Sequence, residues 1–231
     1  AAVRAAAPHL LDESGALRQP ERARDELFKA LSTARPAASL RLLHTLGLWQ
    51  ALAPPQLREA AGSSLPLATA MHLNNLFAII SPGRDDNLAA DLTLGVAVMV
   101  LDRYRRQLQE YLSQTFADGR PLTALLTLGA LTPVALPDPA PLWAERLRLS
   151  NAELHTLSAL YAARELLAAR QSLDNRATHR YYRGVGETGL AGVLLMLADF
   201  LAAHPPAPEP QAWGHLLDQV AAADQAVGDV G

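Results

Sequence analysis

Apolar residues along this chain recur at three- and four-residue spacing and almost nowhere alternate, which is the periodicity of helices rather than strands. Ala23, Leu27, Ala30 and Leu31 form one such stripe behind Pro20, a residue suited to a first helical position because its missing N–H would be unpaired there. Glu21 lies favourably near the positive end of the same helix dipole. The Arg35-Pro36 step is expected to end this helix, since the residue before proline is pushed out of helical geometry. A second helix is expected over Ala38–Leu46, with Gly47 free to adopt the left-handed cap conformation.

Pro54 and Pro55 then break the chain, and Gln56–Ala61 reads as a short helix before Gly62. Leu65–Ile80 is a mostly apolar helix closed by the turn signal Ser81-Pro82-Gly83. Asn87–Thr115 reads as one long helix or two, apolar early and charged around Arg103, Arg105 and Arg106. Another apolar helix is predicted over Pro121–Leu131, and residues 132–141, with Pro133, Pro137, Pro139 and Pro141, read as a loop or linker. Ser150 and Glu153 have the spacing of a capping box at the start of Asn151–Arg170. Further helices are expected at Asn175–Val185, Thr188–Ala203 and Gln211–Val227, with His204–Pro210 as a proline-rich joint.

Composition strengthens this all-α reading, because half of the residues are apolar, mostly Ala and Leu, while β-branched and aromatic residues are sparse. At 231 residues the chain is long enough for one domain or two stacked ones. The absence of cysteine excludes disulfides and thiolate-ligated metal, and a cytoplasmic protein fits that usage. The longest apolar runs, such as Leu92–Leu101, fall short of the ~20 residues that span a bilayer, so no membrane partner is expected.

The net charge of −3 excludes a molecule coated in basic surface but not a local patch. Arg18, Arg22, Arg24, Lys29, Arg35 and Arg41 share one stretch in which only Glu21, Asp25 and Glu26 oppose them. Such a patch can contact phosphates, and it can equally be a solvated helix face with pairs such as Asp25–Lys29; charge alone leaves both open. Gly184-Val185-Gly186-Glu187-Thr188-Gly189 spells G-x-G-x-x-G, but Arg180–Arg183 before it is no buried strand, so it reads as a helix–helix turn. The histidines are scattered, and no pair has ligand spacing.

The segment Pro20-Glu21-Arg22-Ala23-Arg24-Asp25-Glu26-Leu27-Phe28-Lys29-Ala30-Leu31, followed by Ala38-Ser39-Leu40-Arg41-Leu42-Leu43-His44-Thr45-Leu46-Gly47-Leu48, resembles the neck of class II tRNA nucleotidyltransferases, the CCA-adding enzymes and bacterial poly(A) polymerases. Weaker similarity to relatives with a C-terminal HD-type helical region lies in Leu147–Glu153 and Tyr182–Glu187. In those relatives a separate amino-terminal head carries the metal-binding carboxylates. Nothing here resembles that head, and the start at Ala1 fits a piece of a longer protein. The resemblance therefore implies no cofactor for this chain, with Mg expected only in the missing head.

Ala124-Leu125-Leu126-Thr127-Leu128-Gly129-Ala130-Leu131-Thr132-Pro133 resembles the family segment A-L-L-L-H-D-I-G-K-P, with Leu128 and Gly129 standing where histidine and aspartate would be. A leucine cannot ligate metal and a glycine has no carboxylate, so the scaffold is expected to persist without the hydrolase chemistry. The leading expectation is a neck over residues 1–62 and a degenerate HD-like helical domain over 63–231. Together they would hold the acceptor end of tRNA or another RNA beside a catalytic nucleotidyltransferase head. Arg22, Arg24, Lys29 and Arg41 are the expected RNA contacts, or ion pairs to that head, and no residue of this chain is expected to be catalytic. Two alternatives stand beside it: a metal-dependent phosphohydrolase using His72, Asp85, Asp86, Asp91 and Asp199, and a helical oligomerisation module.

Overall fold

The computed structural model describes residues 7–33, 36–58, 64–83, 101–132, 138–168 and 175–203. Among them there are eleven α-helices and no strand. In chain order these are α1 (Pro20–Leu31), α2 (Pro36–Thr45), α3 (Leu48–Leu52), α4 (Pro55–Arg58), α5 (Ser64–Ile80) and α6 (Arg105–Leu112). They continue with α7 (Leu122–Ala130), α8 (Ala140–Leu147), α9 (Asn151–Ala168), α10 (Asn175–Val185) and α11 (Thr188–Ala203). None of the described helices is long and apolar enough to cross a membrane.

The core is a ring of four helices, in which α5 packs on α7, α7 on α9, α9 on α11 and α11 back on α5. Helix α7 is buried from Ala124 to Ala130, as a run that is apolar but for Thr127 demands, and the Thr127 hydroxyl is satisfied by the Thr123 carbonyl and Asn74. Leu73, Leu76, Leu125, Leu128, Leu160 and Leu197 fill the space among the ring helices, and the same apolar cluster runs on into Leu27, Phe28, Leu31 and Leu40 of α1 and α2. Residues on either side of position 62 therefore share one core.

Small residues set how closely α9 and α11 approach. A Cβ placed on Gly192 would lie 2.5 Å from the Cβ of Ala163 and 2.5 Å from the Tyr181 hydroxyl. Gly129 of α7 is similarly crowded, since an added Cβ would meet Leu160 Cδ2 at 2.6 Å and Leu157 Cδ1 at 3.2 Å. The Leu128-Gly129 pair thus serves packing. Gly129→Asp is expected to destabilise the fold by about 3 kcal/mol or more, because it forces a carboxylate into an apolar contact; thermal unfolding followed by circular dichroism checks this, and an unchanged midpoint would refute it.

Several boundaries differ from the sequence expectation for identifiable reasons. Helix α1 stops at Leu31, five residues before Pro36, where the Ser32 and Thr33 hydroxyls bond back to the carbonyls of Phe28 and Ala30. Pro36 opens α2 instead of merely ending α1, and Gly47 takes φ +74° as anticipated. Residues 133–137 of the expected loop lie outside the described residues, and its end at 141 is already helical, because Pro141 sits in the first turn of α8, where proline is tolerated. Helices α3 and α8 are additions to the sequence reading. The expected helix at Gln211–Val227, the joint at His204–Pro210 and residues 87–100 of the expected Asn87–Thr115 helix lie outside the described residues.

Candidate nucleic-acid interface

The four basic residues singled out from the sequence fall into two groups. Arg24 turns inward, with its side chain 13% exposed: Nε donates to Asp25 Oδ1 at 3.0 Å and Nη1 to the Arg148 carbonyl at 2.6 Å. It fastens α1 to the left-handed residue that closes α8, where Arg148 has φ +53°. Arg22, Lys29 and Arg41 face solvent.

Lys29 pairs with Glu26 at 2.9 Å, an exposed i,i+3 contact of about 0–1 kcal/mol that a phosphate can displace. The expected Asp25–Lys29 pair does not form, because Asp25 is engaged by Arg24 and Arg120. Among the described residues the Arg41 guanidinium is hydrogen-bonded to the Met71 sulfur alone, a weak acceptor, at 3.7 Å. Arg22 has no ion pair among the described residues.

What aims these helices is a charged knot that the sequence reading missed in part. Glu153, on the first turn of α9 and fully buried, accepts from Arg120 Nε at 2.6 Å and Nη2 at 3.1 Å. It also accepts from the Ser150 amide at 2.7 Å and hydroxyl at 2.8 Å, while its own amide reaches the Ser150 hydroxyl at 3.3 Å. The expected capping box is therefore present and has acquired a tertiary partner. Arg120 also bridges Asp118 and reaches Asp25 at 3.4 Å, with its guanidinium 5.7 Å from the Phe28 ring centre. Burial pushes the Glu153 carboxyl up, but the hydrogen bonds from Arg120 and Ser150 prevail and hold it below its ordinary value.

A second joint lies beside α3. Trp49 stacks on His44 with ring centres 5.4 Å apart and tilts against Trp143 of α8 at 5.8 Å. Arg146 of α8 donates to the carbonyls of Gly15, at 2.7 Å, and Ala51. The exposed cations of α1 and α2 are thus carried on a platform fixed to the ring from two sides.

Between this platform and the ring lies a cleft of about 900 Å³, bounded by the end of α1, the start of α2, the C-terminal half of α5, helix α6 and the start of α7. Arg41 stands at it, with Ser32, Thr33, Asn75 and Gln109 among its polar walls and Phe77 among its apolar ones. A second basic surface was also missed: Arg176, Arg180 and Arg183 are exposed on α10 at spacings that place them on one face, and that helix carries no acidic residue. The signal was legible in the sequence as arginines at i, i+4 and i+7.

Of the residues of the phosphohydrolase alternative the structure describes His72 and Asp199. Asp85, Asp86 and Asp91 lie outside the described residues, and Asp199 is held by Arg164 at 2.6 and 2.5 Å and by Thr69 at 3.0 Å. Among the described residues no three His, Asp or Glu side chains converge as a metal site would require. Gly184–Gly189 spans the turn between α10 and α11, with Gly186 at φ +58°.

Residues 1–60 match the family model described as the probable RNA and SrmB-binding site of polymerase A. That stretch is similar to an RNA-binding region of the poly(A) polymerase family, and it contains Arg22, Arg24, Lys29 and Arg41. No curated protein matches the chain.

Proposed function

We propose that this chain is the RNA-gripping part of a protein of the tRNA nucleotidyltransferase and poly(A) polymerase type. In this reading residues 1–62 are the neck and 63–231 a degenerate HD-like bundle, the two holding the acceptor end of tRNA or another RNA. A catalytic head with its own Mg would act on that RNA, and the chemistry would lie outside this chain. The observation that carries the reading is the coincidence of the 1–60 family match with three exposed cations, Arg22, Lys29 and Arg41, on a rigidly mounted pair of helices. Arg24 is assigned a different part, that of holding α1 at its angle.

Binding of tRNA to the 231-residue chain across a salt series tests this. Affinity should fall with salt, each phosphate contact adding roughly 0.9 to the logarithmic slope. Changing Arg22, Lys29 and Arg41 together to Gln should weaken binding and reduce that slope by about two to three. Arg24→Gln should lower the thermal midpoint while leaving the slope nearly unchanged. Absence of binding at low salt would defeat the proposal.

A further inference from the structure

The cleft between the α1–α2 platform and the ring has features that a duplex-gripping surface does not need. One side of its wall comes from the RNA-binding-type region, through Ser32, Thr33 and Arg41, and the larger part from the bundle, through Asn75, Phe77 and Gln109. Its volume of about 900 Å³ is far more than a bound water needs and lies in the size range of small-molecule pockets.

The state of the polar groups is more telling. Asn75 is half-buried in the cleft wall, and its amide has no hydrogen-bond partner among the described residues, so both its donor and its acceptor are open. Its neighbour Asn74 is spent: its amide donates to the Ala70 carbonyl at 2.7 Å and accepts from Thr127 at 3.2 Å. Gln109 is fixed by a 2.6 Å bond from Nε2 to the Ile80 carbonyl, which leaves its oxygen as an acceptor held in place. Arg105 ties down the same helix end through the carbonyls of Ile80 at 3.3 Å and Ser81 at 2.8 Å. The wall is therefore rigid where Gln109 projects from it, and Arg41 stands at it with no acid to neutralise its guanidinium among the described residues.

An open amide, an oriented acceptor, an apolar ring and a free guanidinium are the complement of one nucleotide. A base edge offers both donors and acceptors to an amide, its face is apolar, and its phosphate is an anion. A paired base would have its edge occupied and could not leave its stack, so the complement is an unpaired nucleotide. We infer that this cleft is the seat for one unpaired nucleotide of an RNA strand, with the base edge on Asn75 and Gln109 and its phosphate on Arg41. This rests on the RNA-binding reading and narrows it from a charged surface to a specific seat.

The test compares two labelled hairpin RNAs of the same stem, one blunt and one with a short unpaired 3′ tail, binding to the full chain at low salt. The tail should tighten binding by roughly tenfold, the effect of seating one base. Asn75→Ala and the isosteric Asn75→Asp should both abolish most of that advantage while leaving the blunt hairpin unaffected. Arg41→Gln should weaken the tailed RNA more than the blunt one. Asn75 bonds to nothing that holds the fold, so melting midpoints close to the parent are expected for both variants. Equal affinity for the two RNAs, or a tail advantage that survives both Asn75 changes, would overturn the seat while leaving RNA binding intact. No binding of either RNA would overturn both readings.

Discussion

Replacing Asp199 with leucine is expected to destabilise the chain by about 3–5 kcal/mol, the range seen when one partner of a buried ion pair is removed. Arg164 is the reason, because its side chain is only 6% exposed and would be left with its charge uncompensated. The pair is bidentate, and Arg164 Nη1 also donates to the Thr132 carbonyl at 2.7 Å. The Thr132 hydroxyl in turn meets Tyr161 at 2.7 Å and accepts from Trp143 Nε1 at 3.0 Å, while Thr69 reaches Asp199. One polar network thus joins α5, α8, α9, α11 and the end of α7.

For a chain of this length a loss of that size corresponds to roughly 10 °C in thermal midpoint. The double variant Arg164→Met, Asp199→Leu should recover much of the loss, since no orphaned charge remains and apolar side chains suit the site. Denaturant unfolding of both singles and the double measures this. A double variant no more stable than Asp199→Leu would show that the network, and not the burial of charge, is what the fold requires.

Arg120→Ala should weaken the fold by about 3 kcal/mol near neutral pH, because it strips the buried Glu153 carboxylate of its bidentate partner and leaves only Ser150. The effect should depend on pH in a defined direction. In the parent chain the Glu153 carboxyl is held below its ordinary value of 4.5, so its contribution is present above that value and is lost as pH falls through the folded one. In the variant, burial acts against only the Ser150 bonds, and protonation relieves the unpaired charge. The stability gap between parent and variant should therefore narrow from about pH 7 to about pH 4. Denaturant midpoints at both pH values decide it, and a gap that stays constant would show that Glu153 is not the group involved. Loss of this joint should also loosen α1 and so weaken RNA binding through the orientation of Arg22 and Lys29 rather than through charge.

The elements legible in the sequence were those governed by local rules. Helix α1 followed from Pro20 and the stripe behind it, the α9 cap from Ser150 and Glu153, and the left-handed turn from Gly47, each within a few residues. Helix α8 was obscured because prolines before and inside its first turn read as a break, although proline at that position is compatible with a helix. The basic character of α1 and α2 was equally plain, and the family resemblance pointed to the stretch that the 1–60 match later covered.

By itself, the sequence determined an all-helical chain with an RNA-binding-type segment at residues 1–60, because periodicity, caps and a short motif are properties of neighbouring residues. Only the tertiary structure decided which cations face solvent. Arg24 and Arg22 are both arginines of α1, and what separates them is a carbonyl on Arg148, far along the chain. It likewise decided that Asp199 belongs to an arginine, and that α1, α2, α5, α6 and α7 border a cleft whose guanidinium and amides come from opposite sides of position 62. The physical reason is that a side chain's partner is set by packing between distant helices, and the sequence writes that only as two unremarked residues with many others between them.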